Sequence, residues 1–377
     1  MRLQLISRSA VALLSVSSLA VSSLAPRSAA AQSSSPEWRL AADALYYTDT
    51  DNVTAVSPSL SVRRRLDGGG WVGVRGAVDV VSAASVDVIS HATTGFEEVR
   101  SEGSFDLSVP AGDVTVSSAY RFSYEPDYLS NGLSLGLQFR LGSPDTVLSI
   151  NYRLSWDVVS RVHTSWEAFS EDLFTHGAAL SLTQNLGSET VLRLVYAPMV
   201  QHGFLEKPYR YVPLFGPAGQ RLANRIPENV PDLRHGHALG VRLLQYLEPI
   251  DGSVRLDYQF YAGSWGVTSH IVEVVGLASV VDGFRLGLRG RVYGQTAASF
   301  WQRTYTIEQV GHVPRWRSLN RDLSPYYALT GAARMEWNTG EFSGHIDGAV
   351  TLTRFEDFLL LDERVAIVTQ IGLRWTP

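Results

Sequence analysis

From Phe284 to Tyr293 the chain reads F-R-L-G-L-R-G-R-V-Y, and apolar and charged residues alternate along it without a break. A β-strand sends successive side chains to opposite faces. Phe284, Leu286, Leu288, Gly290 and Val292 therefore share one face, and Arg285, Gly287, Arg289, Arg291 and Tyr293 share the other. A soluble sandwich would bury the first face and hydrate the second. A closed barrel in a bilayer would turn the first face to lipid and the arginines to a wet lumen.

The rest of the chain decides between these readings. About sixteen segments show strand periodicity: 37–49, 54–66, 70–83, 95–109, 112–125, 131–142, 145–157, 175–187, 189–201, 235–248, 251–264, 269–281, 283–294, 325–338, 341–354 and 364–375. Ordinary globular strands average ~5–6 residues, whereas tilted membrane strands need ~9–11. Most of these segments have the longer length.

The connections alternate in size. Every second one is a tight turn built on Gly, Pro or Asp: Asp67-Gly68-Gly69-Gly70, Pro110-Ala111, Gly142-Ser143-Pro144, Gly187-Ser188, Pro249-Ile250, Asp282 and Thr339-Gly340. Hairpin turns use these residues. The other connections include the long loops 84–94, 158–174, 202–234 and 295–324. Short turns at one end and long loops at the other mark outer-membrane barrels. The predicted fold is all-β: an antiparallel transmembrane barrel of about sixteen strands. A soluble β-sandwich is the competing reading.

An arginine facing lipid at the midplane costs about 2–4 kcal/mol, so the charged face must be the inner one. The predicted lumen residues are Arg75, Asp79, Arg140, Arg153, Arg255, Asp257, Arg285, Arg289, Arg291 and Arg334. They would form either a charged, selective pore wall or cross-strand ion pairs that brace the barrel. Trp38, Trp71, Tyr124, Trp156, Trp265, Tyr327, Trp337 and Trp375 lie near strand ends, where interfacial girdles are expected.

Met1 to Ala31 has the form of a secretory signal. Arg2 and Arg8 supply the charged start, Ala10 to Ala25 the apolar stretch, and Ala29-Ala30-Ala31 a cleavage site before Gln32. The expected domains are thus a signal peptide over 1–31 and a barrel over 32–377. With export, the predicted location is the outer membrane of a Gram-negative bacterium. The bilayer is then one partner. The barrel-insertion machinery is another, through the C-terminal strand that ends at Trp375. The chain has no cysteine, which excludes disulfides and thiolate metal sites. Its net charge of −5 argues against nucleic acid as a partner. No cofactor is expected.

Several stretches carry a family resemblance. They are Asp79-Val-Val-Ser-Ala-Ala-Ser-Val-Asp-Val-Ile-Ser90, Pro208-Tyr-Arg-Tyr211, Ser264-Trp-Gly-Val-Thr-Ser-His270 and Gly294-Gln-Thr-Ala-Ala-Ser-Phe300. In these the chain resembles the bacterial outer-membrane family termed domain of unknown function 3570. The resemblance implies a barrel of unassigned function and supplies no catalytic residues.

Three constellations remain. The two longest loops are natural plugs, with Tyr209, Arg210, Tyr211, Phe300 and Trp301 as constriction candidates. The alternative is that these loops lie in solvent without a ligand. His202, His235 and His237 could bind zinc or copper, or serve as polar rim residues at headgroup level. Ser85, Asp87 and His91 match no known triad spacing, and no phosphate loop, dinucleotide fingerprint or H-E-x-x-H motif is present. No enzyme is expected. The expected function is a porin-like or gated conduit for small polar or charged solutes. The alternative is a non-conducting barrel that acts as a scaffold or assembly partner in the envelope. A rim metal site or hydrolase comes third.

Overall fold

The computed structural model describes residues 37–83, 96–307 and 313–377. The expected signal segment 1–31, the loop 84–94 and its Ser85, Asp87 and His91 lie outside the described residues.

Among the described residues nineteen strands follow one another. The first nine are β1 (Trp38–Asp49), β2 (Val53–Arg65), β3 (Trp71–Ala83), β4 (Phe96–Ala111), β5 (Val114–Glu125), β6 (Tyr128–Arg140), β7 (Thr146–Val159), β8 (Glu171–Asn185) and β9 (Thr190–Gly203). Then come β10 (Tyr211–Phe215), β11 (Arg221–Pro227), β12 (Leu233–Leu247), β13 (Gly252–Gly263), β14 (Thr268–Val281), β15 (Phe284–Gln295) and β16 (Tyr305–Thr306). The last are β17 (Tyr326–Asn338), β18 (Phe342–Phe355) and β19 (Glu363–Trp375).

Sixteen of them close into one antiparallel barrel. β1 and β19 seal it, with Leu40 opposite Trp375 and Asp49 opposite Ala366. Closure is the physical requirement of the setting. A strand edge in hydrocarbon would leave unpaired N–H and C=O groups, each costing several kcal/mol.

The faces follow the alternation. Leu60, Val74, Leu239, Leu288 and Leu373 point outward and are exposed, Leu288 to 71%. The arginines of β15 point inward. Two aromatics depart from the expected girdle. Trp71 has the same parity as Arg75 and lies inside, beneath the Arg39 guanidinium at 4.3 Å. Trp265 is buried in the loop core described below. At the short-turn end, Phe342 and Trp375 stack at 6.0 Å as girdle residues should.

The short-turn end has the expected hairpins, with Gly283 (φ 76) and Gly340 (φ 90) taking the left-handed conformation. Strand limits differ from the sequence reading by up to four residues, as at β8, which begins at Glu171 instead of 175. The larger difference lies in the long loops. Segments 202–234 and 295–324, read as loops, contain a second sheet in the order β11-β10-β16. β10 and β16 pair in parallel, Leu214 opposite Tyr305. Strands of five, seven and two residues without a sustained alternation give no strand signal. The pairing partner supplies it.

Candidate functional site

Two features stand out: a polar inner wall, and a cap over the long-loop end.

The cap is made by the β9–β12 and β15–β17 connections. Gly203 starts it. A Cβ there would lie 2.2 Å from the Asp172 carbonyl oxygen, and φ is +106, so glycine lets the chain leave the barrel at this point. The two connections then interlock. Asn229 and Arg317 exchange backbone hydrogen bonds of 3.0 and 2.7 Å. Glu228 accepts a hydrogen bond from the Ser318 hydroxyl and one of 2.9 Å from the Lys207 amide, and faces the buried Arg210 guanidinium at 3.6 Å. Tyr305 accepts from the Ser318 amide at 2.9 Å. Val212, Leu214, Val230, Trp301, Leu319 and Leu323 form an apolar core, with Trp265 from the β13–β14 turn and Phe358 from the β18–β19 loop.

The cap is also tied to the far rim. Tyr209 donates to Asp127 in the β5–β6 turn at 2.6 Å and accepts from the Val162 amide at 2.5 Å. Arg321 reaches Asp51 in the β1–β2 turn at 2.5 Å. The cap therefore holds the β1–β2, β5–β6, β9–β12 and β15–β17 connections. Around the barrel these are spaced four strands apart, at quarter turns. Such spacing spans the mouth from four sides.

Burial shifts titratable groups in the cap. It pushes the Glu206 carboxyl up, aided by the nearby Glu228 charge and opposed by a backbone hydrogen bond from Val230. It pushes the Tyr305 phenol up and the Arg317 guanidinium down.

The constriction candidates all fall in this cap. Tyr209 is an anchor and Arg210 is fully buried. Tyr211 lies beneath Arg225, and Phe300 packs edge-on against Trp265 at 5.3 Å. Trp301 is a core residue. They contribute to the cap, Arg210 and Trp301 buried and Tyr211 and Phe300 half-buried.

The inner wall carries ion-pair ladders. Arg242, Asp257, Arg255 and Glu273 run across β12, β13 and β14 with contacts of 2.5, 2.8 and 2.6 Å. Arg285 and Arg334 share Glu336 at 2.7 and 2.6 Å, and Arg334 also reaches Asp347 at 3.3 Å. Asp79 pairs with Arg100, and Arg75 bonds the Ser59 hydroxyl at 3.0 Å. Arg140, Arg153, Arg289 and Arg291 take the same inner face by strand parity. Several inward arginines remain wet: the side chains of Arg121, Arg285 and Arg334 are 54%, 53% and 42% exposed. Buried inner residues such as Tyr47, Val53 and Val81 gather at the capped end.

The histidines lie elsewhere. His202, His235 and His237 share strand parity with outward Val200, Leu233 and Leu239. The Tyr196 hydroxyl bonds His237 Nδ1 at 2.7 Å, and His202 stacks on Phe174 at 5.1 Å. The same diagonal pair recurs as Tyr152 with His176 at 2.7 Å and Tyr258 with His270 at 2.8 Å. This is an outward tyrosine–histidine belt. The His235 and His237 rings are 6.2 Å apart and edge-on, and among the described residues the three proposed ligands do not make a grouping with metal-ligand spacing. Parity with their apolar neighbours already carried that signal.

Among the described residues, the acidic grouping with ligand spacing is Glu98, Glu125 and Asp127, whose carboxylate oxygens lie within 4.8 Å of one another. Oxygen sets of this type suit hard cations. The sequence reading missed it because the three come from two strands and a turn.

A closed antiparallel barrel with an apolar outer band and a charged inner face is a protein of the membrane-barrel class. The chain belongs to the family described as "Protein of unknown function (DUF3570)", whose model matches residues 88–341. No curated protein matches it. Among solved structures it is similar to CdiB from Acinetobacter baumannii, at 9% identity and TM-score 0.51, covering 89% of this chain and 60% of that one. It is also similar to a bacterial polysaccharide outer membrane secretin, at 7% identity and TM-score 0.48, covering 91% and 98%. A third is the outer membrane protein OprD from Pseudomonas aeruginosa, at 8% identity and TM-score 0.44, covering 91% and 94%. At these identities the likeness is one of fold.

Proposed function

We propose that this barrel is a conduit for small polar or charged solutes across the outer membrane, closed at its outer mouth by the interlocked cap. The short-turn end then faces the periplasm and the cap faces outward. The observation that carries this reading is the exposure of inward arginines such as Arg285 and Arg334. Guanidinium groups on the inside of a closed barrel stay wet only where the interior holds water. A filled barrel would bury them.

The four-point anchorage of the cap favours a second reading, a permanently sealed barrel that serves as a scaffold. Planar-bilayer recording separates the two. The intact protein and a cap-released variant, Asp51→Asn with Tyr209→Phe, are compared after both are shown to fold. Conductance in either supports the conduit. Silence in both, with heat-modifiable folded protein, moves the assignment to the scaffold.

A further inference from the structure

The inner wall is not electrically balanced. The chain as a whole is acidic, with 37 Asp and Glu against 32 Lys and Arg. Its inner face runs the other way. Along the mid-barrel wall the carboxylates are taken: Asp79 by Arg100, Glu102 by Arg121, Asp257 by two arginines, Glu336 by two and Asp347 by Arg334. Asp43 is left to act on His345, as Arg374 does, and the grouping of Glu98, Glu125 and Asp127 lies nearer the cap, beside Arg100. Arginines are left over.

Among the described residues Arg153, Arg193 and Arg289 form no ion pair within 4.0 Å; Arg193 bonds only the Ser181 hydroxyl at 3.3 Å, with the Asp257 charge farther off, and Arg289 acts on the already paired Asp347 from beyond that distance. Their register neighbours explain this. Arg153 stands between Ser134 and Gly177, and Arg289 between Val275 and Ala332. Arg193 stands between Thr183 and another arginine, Arg242. Arg153 is in turn close enough to Arg121 for the two to repel. Like charges set opposite each other in a sheet are destabilising. A wall built only for bracing would place a carboxylate at Ser134, Gly177 or Thr183. Small and neutral residues there leave the guanidinium groups facing the lumen.

We infer that the barrel prefers anionic solutes, with Arg153, Arg193 and Arg289 as the selectivity-determining residues. This rests on the conduit reading above. Rings of arginine in a pore wall select anions because they lower the local potential energy of negative charge and exclude cations. Guanidinium donors also match carboxylate and phosphate oxygens. The class of solute is therefore a small carboxylate or phosphate, with chloride as the simplest probe.

The test is the reversal potential in a potassium chloride gradient, for the wild type and for Arg153→Gln, Arg193→Gln and Arg289→Gln singly and together. The cap-released background is used if the intact protein is silent. The expected wild-type reversal potential favours chloride, and the combined variant moves the permeability ratio about twofold or more toward one. Conductance with a cation preference, or a ratio that the substitutions leave unmoved, overturns the anion inference and leaves the conduit standing. Absence of conductance from every folded form overturns both. If the combined variant does not fold, the wild-type sign and the single variants decide.

Discussion

Arg321 and Asp51 are 270 residues apart in the chain and 2.5 Å apart in space. The pair is buried, and it ties the β15–β17 connection to the β1–β2 turn on the other side of the β17–β18–β19 wall. Removing one member of a buried pair leaves the other charge uncompensated, at a cost of about 3–5 kcal/mol. Asp51→Asn is therefore expected to free the cap while the barrel stays closed. Limited proteolysis should cut within 296–325, and the folded band in a heat-modifiability gel should persist. Equal protease resistance in variant and wild type would remove this pair from the list of anchors.

Tyr209 anchors the cap a quarter turn away through its hydroxyl, which bonds both Asp127 and the Val162 amide. Tyr209→Phe keeps the ring and removes both bonds. At about 0.5–1.5 kcal/mol each, the expected result is faster hydrogen exchange at Val162, by roughly tenfold or more. Exchange that stays at the wild-type rate would mean that the loop 160–170 is held by other contacts.

Glu206 gives the cap a pH dependence. Its carboxyl is raised in the folded state by burial and by Glu228. A raised carboxyl contributes stability that is fully present below the ordinary glutamate value of 4.5 and is lost as pH rises through the folded value. The cap is thus expected to loosen as pH climbs through that window. Glu206→Gln should remove the dependence and tighten the cap at neutral pH. Protease sensitivity of 204–232 measured across pH checks this. A cap that loosens toward acid would contradict it.

The face assignment can be tested on one strand. Leu288 points outward and its neighbour Arg289 points inward. Leu288→Arg is expected to destabilise the folded barrel by about 2–4 kcal/mol, because it sets a charge in the hydrocarbon. Arg289→Leu should cost far less, since that side chain forms no ion pair within 4.0 Å among the described residues and stands between the uncharged Val275 and Ala332. Denaturant titration from lipid vesicles measures both. A reversed order of costs would reverse the inner and outer faces.

Local sequence carried the parts that depend on a local contrast of solvents. Along β15 each side chain meets either lipid or water, so alternation at Phe284 to Tyr293 is enforced residue by residue and can be read from one strand. Turn residues such as Gly283 and Gly340 are equally local, because backbone sterics require them. The direction of the histidines was legible in the same way, since His202 and His237 keep step with Val200 and Leu239.

The cap had no such signature. Tyr209 looks like a loop aromatic until Asp127 and Val162 are beside it, and β16 is two residues that become a strand only against β10. Which arginines are braced and which face the lumen was also undecided, because Arg153 and Arg255 look alike in their own strands. Register decides it: Arg255 meets Asp257 and Glu273, whereas Arg153 meets Ser134 and Gly177. By itself, then, the sequence determined a barrel with an apolar outer face and a charged inner one. Only the tertiary structure decided that its mouth is capped and its charges are unbalanced, since both depend on pairings between residues far apart in the chain.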